Sequence, residues 1–398
     1  MASLKAPSTG ARAAATLVAF SAYFVMSGML APIGIVSERV AQLLDMSITD
    51  ATSLFSALTL ALLFGSATAV FVLERFDLRR VMVLCSASIA VACLSFSVSE
   101  GVWQISGALG VIGFCCGLVL AGGALTITRL YQDRLRASLL VLTDSCFSVA
   151  GIVCSSLAVF FLGQFGWWFG AYLVVGAVAV LAVVMALVGY FPAEEGHVDQ
   201  AQSEGVERVW APQVWLCLVA LFLYTLGLQT ILLWLPNFAQ TQLDASLQDA
   251  GQLVSQYWTG NLIGQLLVAV SVFKTGPRLF LYINAFTTAG FSIALWSVAD
   301  VELLWWLALL WGVGNLGLLK LVITLATAHL TAPGGSLVSS LMLAGTIGTS
   351  VSAWVSSQVV EIYQPVGALQ AGTLCLALMG ALILGALLLS RAKPAPTL

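Results

Sequence analysis

Twelve long apolar stretches constrain this chain more than any other feature. They run over residues 14–36, 51–73, 80–98, 103–127, 138–163, 168–190, 213–236, 247–272, 279–298, 303–328, 336–360 and 367–389. A helix that crosses the hydrocarbon core of a bilayer needs about 20 mostly apolar residues, and each stretch is near that length. The apolar residues are continuous and do not alternate with polar ones, so the expected spans are helices and not barrel strands. Composition agrees: of 398 residues, 60% are hydrophobic and 8% charged, against about 25% charged in a soluble domain. The expected class is an all-α membrane protein with 12 transmembrane helices. The first stretch is long and lacks a cleavage site of the A-x-A kind, so it reads as a span and not as a signal peptide.

Lysine and arginine set the orientation. With the N-terminus in the cytoplasm, the cytoplasmic segments hold every one of the 15 basic residues except two: Arg39 falls outside and Lys320 within a span. The opposite loops carry Asp45, Asp50, Glu100, Asp244, Asp249, Asp300 and Glu302. Both termini are therefore expected in the cytoplasm. The longest polar segment between spans, 191–212, follows the sixth stretch and reads as a flexible cytoplasmic linker. The expected organisation is 1–190 as an N-terminal six-helix bundle, 191–212 as the linker and 213–398 as a C-terminal six-helix bundle. The halves echo each other in VFVLERFDLRR (70–80) and SVFKTGPRL (271–279), short basic turns after the second helix of each half. Parallel repeats of this kind place a substrate site near the midplane between the halves.

Two charges stand inside apolar stretches. Asp144 lies in LLVLTDSCFSVAGIV (139–153), and Lys320 in WGVGNLGLLKLVITLATAH (311–329). At 1.5 Å per residue, Asp144 is about 12 Å into its helix from Arg136 and Lys320 about 13 Å from His329. A lone charge at the bilayer centre costs about 2.5–3.5 kcal/mol or more, so such groups pair, face water or change protonation state. Three readings stay open: a fixed Asp144–Lys320 pair, a pair that breaks and forms during transport, or two charges that each face a wet cavity. Asp144, Ser148, Gly151 and Ser155 share one helical face, as do Gly317, Lys320, Thr324 and Thr327. Further polar residues in spans (Gln229, Gln256, Trp258, Asn261, Gln265 and Asn315) form a candidate substrate cavity; the alternative for each is interhelical glue. The eight cysteines all lie in apolar stretches without CxxC spacing, and two histidines cannot build a metal site. No G-x-x-x-x-G-K-[ST] occurs, so nothing points to ATP-driven transport. No catalytic residue, cofactor or metal is expected, and the chain is not expected to be an enzyme.

The twelve spans, the 6+6 division and ERFDLRR after the second span resemble the major facilitator superfamily, whose usual loop is G-x-L-x-D-R-x-G-R-R. LFLYTLGLQTILLWLPNF (221–238), QYWTGNLIGQLL (256–267) and LAGTIGTSVSAWV (343–355) are similar to the fucose–proton symporter group. LTDSCFSVAGIV, DAGQLVSQYW (249–258) and AGTIGT (344–349) further resemble its TsgA branch of bacterial inner-membrane proteins. The resemblance implies a secondary transporter that moves a small solute across the inner membrane by alternating access. It implies that Glu74, Asp77, Arg79 and Arg80 latch a cytoplasmic gate, and that Asn315 lies in a substrate-facing region. It also implies that the fifth helix of the first half lies near the eighth and tenth, which makes an Asp144–Lys320 contact feasible. The group's proton-handling carboxylates in the first and fourth helices are replaced by Gly34 and Leu120, and its Gly-Arg by Gly264-Gln265. If a proton is coupled, Asp144 is the placed candidate. The expected partners are a small-molecule substrate and the bilayer, with no nucleic acid, and a monomeric chain. The alternatives are a drug or metabolite exporter, although no proline marks the fifth helix, and a transport-inactive sensor or scaffold.

Overall fold

The computed structural model describes residues 8–131, 133–191, 210–315, 317–327 and 335–391. Among these residues all regular structure is helical. Most of the 191–212 segment, with His197, Arg208 and also His329, lies outside the described residues. The chain divides into two compact units, Met1–Gly196 and His197–Leu398.

In the first unit the helices are α1 (Thr9–Leu30), α2 (Ile33–Leu44), α3 (Ile48–Leu54), α4 (Ser56–Arg75), α5 (Leu78–Ser95), α6 (Val102–Leu130), α7 (Asp133–Phe165) and α8 (Gly170–Val188). The first apolar stretch is not one helix. Pro32 cannot donate a backbone N–H, and the chain turns at Ala31–Pro32 between α1 and α2. The second stretch is likewise divided, at Phe55 between α3 and α4. Helix α1 packs against α6, α7 and α8, helix α4 against α6, and α5 against α8.

In the second unit the helices are α9 (Pro212–Gln242), α10 (Leu247–Thr275), α11 (Pro277–Ser297), α12 (Val301–Gly314), α13 (Leu318–Thr327) and α14 (Gly335–Arg391). Proline at the first position of α9 and of α11 starts each helix without wasting a donor. The tenth apolar stretch is broken between α12 and α13, where Gly317 takes a φ of 64° that costs a side-chain-bearing residue energy. The two last stretches fall in α14, whose helical path is interrupted at Gln364 (φ 61°, ψ 177°), just before Pro365. Proline disfavours helical backbone in the residue before it, which accounts for the position of the break. Helix α9 packs on α14, α10 on α12, and α11 on α12, α13 and α14.

Ten stretches among the described residues are long and apolar enough to cross a membrane, one of them the 54-residue Leu337–Ser390. Helix α10 is not one of the ten.

Each unit closes around the same kind of seam. A Cβ on Gly113 would fall on the Leu58 carbonyl, and one on Gly65 on the Phe114 carbonyl, so α4 and α6 touch backbone to backbone. In the second unit Gly312 stands against the Tyr257 carbonyl and Gly264 against the Val313 carbonyl, joining α10 to α12. One sequence interval carries each member of the first set onto its counterpart in the second: Leu58 to Tyr257, Gly65 to Gly264, Gly113 to Gly312, Phe114 to Val313. Small residues permit such approach where lipid offers no hydrophobic drive for helix association.

The same interval relates the starts of these helices. Asp45 and Asp244 both adopt a φ of 51°. Two residues later Ser47 and Ser246 accept the Asp50 and Asp249 N–H groups, each at 3.1 Å. Their hydroxyls donate to the carboxylates of the same aspartates at 2.7 and 2.8 Å. This reciprocal capping satisfies donors that a helix start leaves open.

Candidate functional site

In the first unit Asp144 is half-buried on α7. Tyr23 of α1 lies against it, within hydrogen-bonding reach of the neighbouring Thr143. The polar face expected from Asp144 onward points into the unit: Ser148 and Ser155 are fully buried. An apolar recess of about 310 Å³ opens nearby between α1, α7 and α8, lined by residues that include Phe20, Phe24, Cys146 and Met185. Carboxylate and recess therefore leave the α1–α7 face polar at one point and oily beside it.

The α4–α5 turn places the four residues expected at a gate on the surface: Glu74, Asp77, Arg79 and Arg80 are all exposed. Asp77 caps α5, accepting the Arg80 N–H at 3.0 Å. The Arg79 guanidinium donates to the Gly189 carbonyl at 2.6 Å, a cation at the end of α8 where the helix dipole is negative. The next residue, Tyr190, donates its N–H to the Ala11 carbonyl in the first turns of α1 at 2.9 Å. Three separated segments are thus tied at one end of the unit.

The expected cavity residues all belong to the second unit, and the structure sorts them. Asn315, fully buried at the end of α12, donates through Nδ2 to the Tyr257 hydroxyl at 3.0 Å. Tyr257 in turn is hydrogen-bonded to Tyr224 of α9. Asn261 and Trp258 are also buried on α10, with the Asn261 backbone at the Gly312 seam. Gln265 is half-buried, and its Oε1 is enclosed with no hydrogen bond. Gln229 and Gln256 are half-buried on α9 and α10, and neither belongs to the Tyr224–Tyr257–Asn315 chain.

Lys320 is half-buried in the first turn of α13, its N–H bonded to the Gly317 carbonyl at 3.1 Å. The stripe of Gly317, Lys320, Thr324 and Thr327 is not part of this unit's core, since Thr324 is exposed while Leu318, Leu321, Val322 and Leu325 are buried.

Three participants were not anticipated from the sequence, Tyr23, Tyr224 and Tyr257, and neither were Asn284 and Thr288, which are fully buried on α11. Tyrosine in an apolar helix gives no periodic signal, because its ring is at home in the core and only its hydroxyl needs a partner. Asn284 and Thr288 did offer one, at i and i+4 within YINAFTTAG (282–290). Among the described residues no three His, Cys, Asp or Glu side chains gather where a metal could bind.

The Major Facilitator Superfamily profile matches residues 13–353. A protein from Citrobacter koseri called "Protein TsgA homolog" is 25% identical over 354 residues, covering 89% of this chain and 90% of that protein. The crystal structure of a D-xylose–proton symporter superposes with a TM-score of 0.75 at 16% identity, covering 97% of this chain and 99% of that one. The nucleoside transporter NupG gives a TM-score of 0.71 at 12% identity, covering 95% and 99%. Apolar helices and bacterial relatives fit a multi-pass protein of the inner membrane. The chain belongs to the major facilitator superfamily and is a secondary active transporter of a small solute, not an enzyme.

Proposed function

We propose that the transporter carries a small hydroxyl-bearing solute and couples its movement to a proton through Asp144. The observation that carries the solute class is the buried Tyr224–Tyr257–Asn315 chain. Phenols and amides both donate and accept, which suits hydroxyl groups and offers little to a purely apolar compound. Gln229, Gln256, Trp258, Asn261 and Gln265 extend that chemistry along α9 and α10. Solutes of the kinds named for the structural neighbours, D-xylose and nucleosides, are the first to try.

In this reading the chain crosses the membrane twelve times, as bundles 1–190 and 213–398 joined by a cytoplasmic linker at 191–212, with both termini in the cytoplasm. The break at Gln364 supports the count, because it leaves Gly335–Arg391 (57 residues) as two lengths that can each span. So does α10, whose 29 residues exceed what a crossing requires. The Glu74–Arg80 turn serves as the cytoplasmic gate. The transporter works as a monomer.

Reconstituted protein tests the coupling. With Asp144→Asn, uptake driven by a pH gradient is expected to vanish while exchange of preloaded solute survives. Equal loss of both would assign Asp144 to structure. The solute itself is found by thermal-shift screening of sugars and nucleosides, and stabilisation by none of them removes the solute class proposed.

A further inference from the structure

The second unit buries polar atoms that its own side chains do not satisfy. Asn284 on α11 is fully buried, and neither its Oδ1 nor its Nδ2 has a hydrogen bond. Thr288, one turn on and also fully buried, has an unpartnered Oγ1. The Oδ1 of Asn315 is a third such case.

The register of α11 against α12 brings these groups level. Trp311 Nε1 donates to the Thr288 carbonyl at 3.2 Å, and Thr287 Oγ1 to the Gly314 carbonyl at 3.1 Å. The two helices are consecutive and run antiparallel. One turn from Thr288 toward the start of α11 is Asn284, and one turn from Trp311 toward the end of α12 is Asn315. Here the helix breaks before α13 begins.

We propose that ordered water occupies a closed polar site at this joint, held by Asn284, Thr288 and Asn315. The unsatisfied set contains donors, the Asn284 amide N–H and the Thr288 O–H, as well as acceptors on all three residues. A cation would satisfy only the oxygens and an anion only the N–H and O–H groups, whereas water serves both. No carboxylate belongs to the set, and Lys320 follows in the first turn of α13, which weighs further against a cation. Leaving such a group unsatisfied costs about tenfold or more in the folding equilibrium, and buried waters are the usual remedy.

The first unit supplies an internal control. The interval that carries Gly113 to Gly312 pairs Asn284 with Cys85, Thr288 with Ile89, and Asn315 with Cys116. There the helix corresponding to α12 and α13 is the unbroken α6, Val102–Leu130. The Cys85 thiol is hydrogen-bonded to Cys115. The matching positions of α5 and α6 therefore carry no amide, and amides and helix break occur together. Backbone breaks at membrane depth are tolerated where protein or water satisfies them. That the joint flexes during transport rests on the alternating-access reading above, whereas the site itself does not.

Hydrogen exchange across residues 312–321 of the full chain in nanodiscs tests the site. In Asn284→Ala a further water fills the vacated volume, and exchange is expected within about twofold of the parent. In Asn284→Leu the water is expelled, Asn315 Oδ1 is stranded, and exchange is expected to rise about tenfold. Equal rates in the two variants would overturn the proposal. Because the Leu variant can fail to fold, the unsubstituted protein provides two further readings. A density map that resolves waters should show one bridging Asn284 and Asn315, and a direct contact between these side chains would refute it. Thermal stability should be the same in sodium and choline chloride, and selective stabilisation by sodium would replace water with a cation.

Discussion

In the first half Gly65 and Gly113 press α4 onto α6, and Cys85 and Ile89 on α5 and Cys116 on α6 supply only thiols and methyl groups. In the second half Gly264 and Gly312 press α10 onto α12 in the same register, but Asn284, Thr288 and Asn315 hold the corresponding places, and the helix breaks beside them. The difference separates two requirements. Close backbone packing needs only small residues at fixed spacing, and both halves have them. Polar chemistry is an addition to that frame, and each half adds a different kind: a carboxylate beside Tyr23 in the first, amides, phenols and Lys320 in the second.

The largest expected effect tests whether the added charges answer each other. If they pair, Asp144→Asn and Lys320→Gln should each lower stability by about 3 kcal/mol or more, because each strands a charge. The charge-swapped double variant should recover part of that loss in thermal unfolding, and complete non-recovery would leave two independent devices. Somewhat smaller is the effect of crowding the seams. Gly113→Ala and Gly312→Ala should each cost about 1–3 kcal/mol, with similar losses of folded protein in size-exclusion profiles. A half that tolerates its alanine would break the correspondence. The smallest effect concerns the helix starts: Ser47→Ala and Ser246→Ala should each cost about 1 kcal/mol, and unequal shifts in melting temperature would show that the caps differ in weight.

Much of the frame was legible because lipid imposes a simple rule, and runs of apolar residues locate helices. The helix breaks were less so. Pro32 and Pro365 are visible in the sequence, yet proline is tolerated in many spans. The turn at Gly317 depends on a backbone angle that a glycine permits but does not announce. Asp144 and Lys320 stood out because charge is rare in this chain, and Asn315 because of the resemblance. Tyr257 passed unnoticed between Gln256 and Trp258, since a phenol reads as core until its hydroxyl finds Asn315 and Tyr224. Asn284 was missed for a different reason. Thr288 one turn on is its single companion in an apolar run, and only the register of α11 on α12 brings the amide level with Asn315.

The bond from Tyr190 to Ala11, reinforced by Arg79 on Gly189, means that the first half begins and ends at one place. Its path is close to a ring. Cutting after residue 191 should therefore leave a self-contained piece. The first half lends itself to being made as a separate polypeptide.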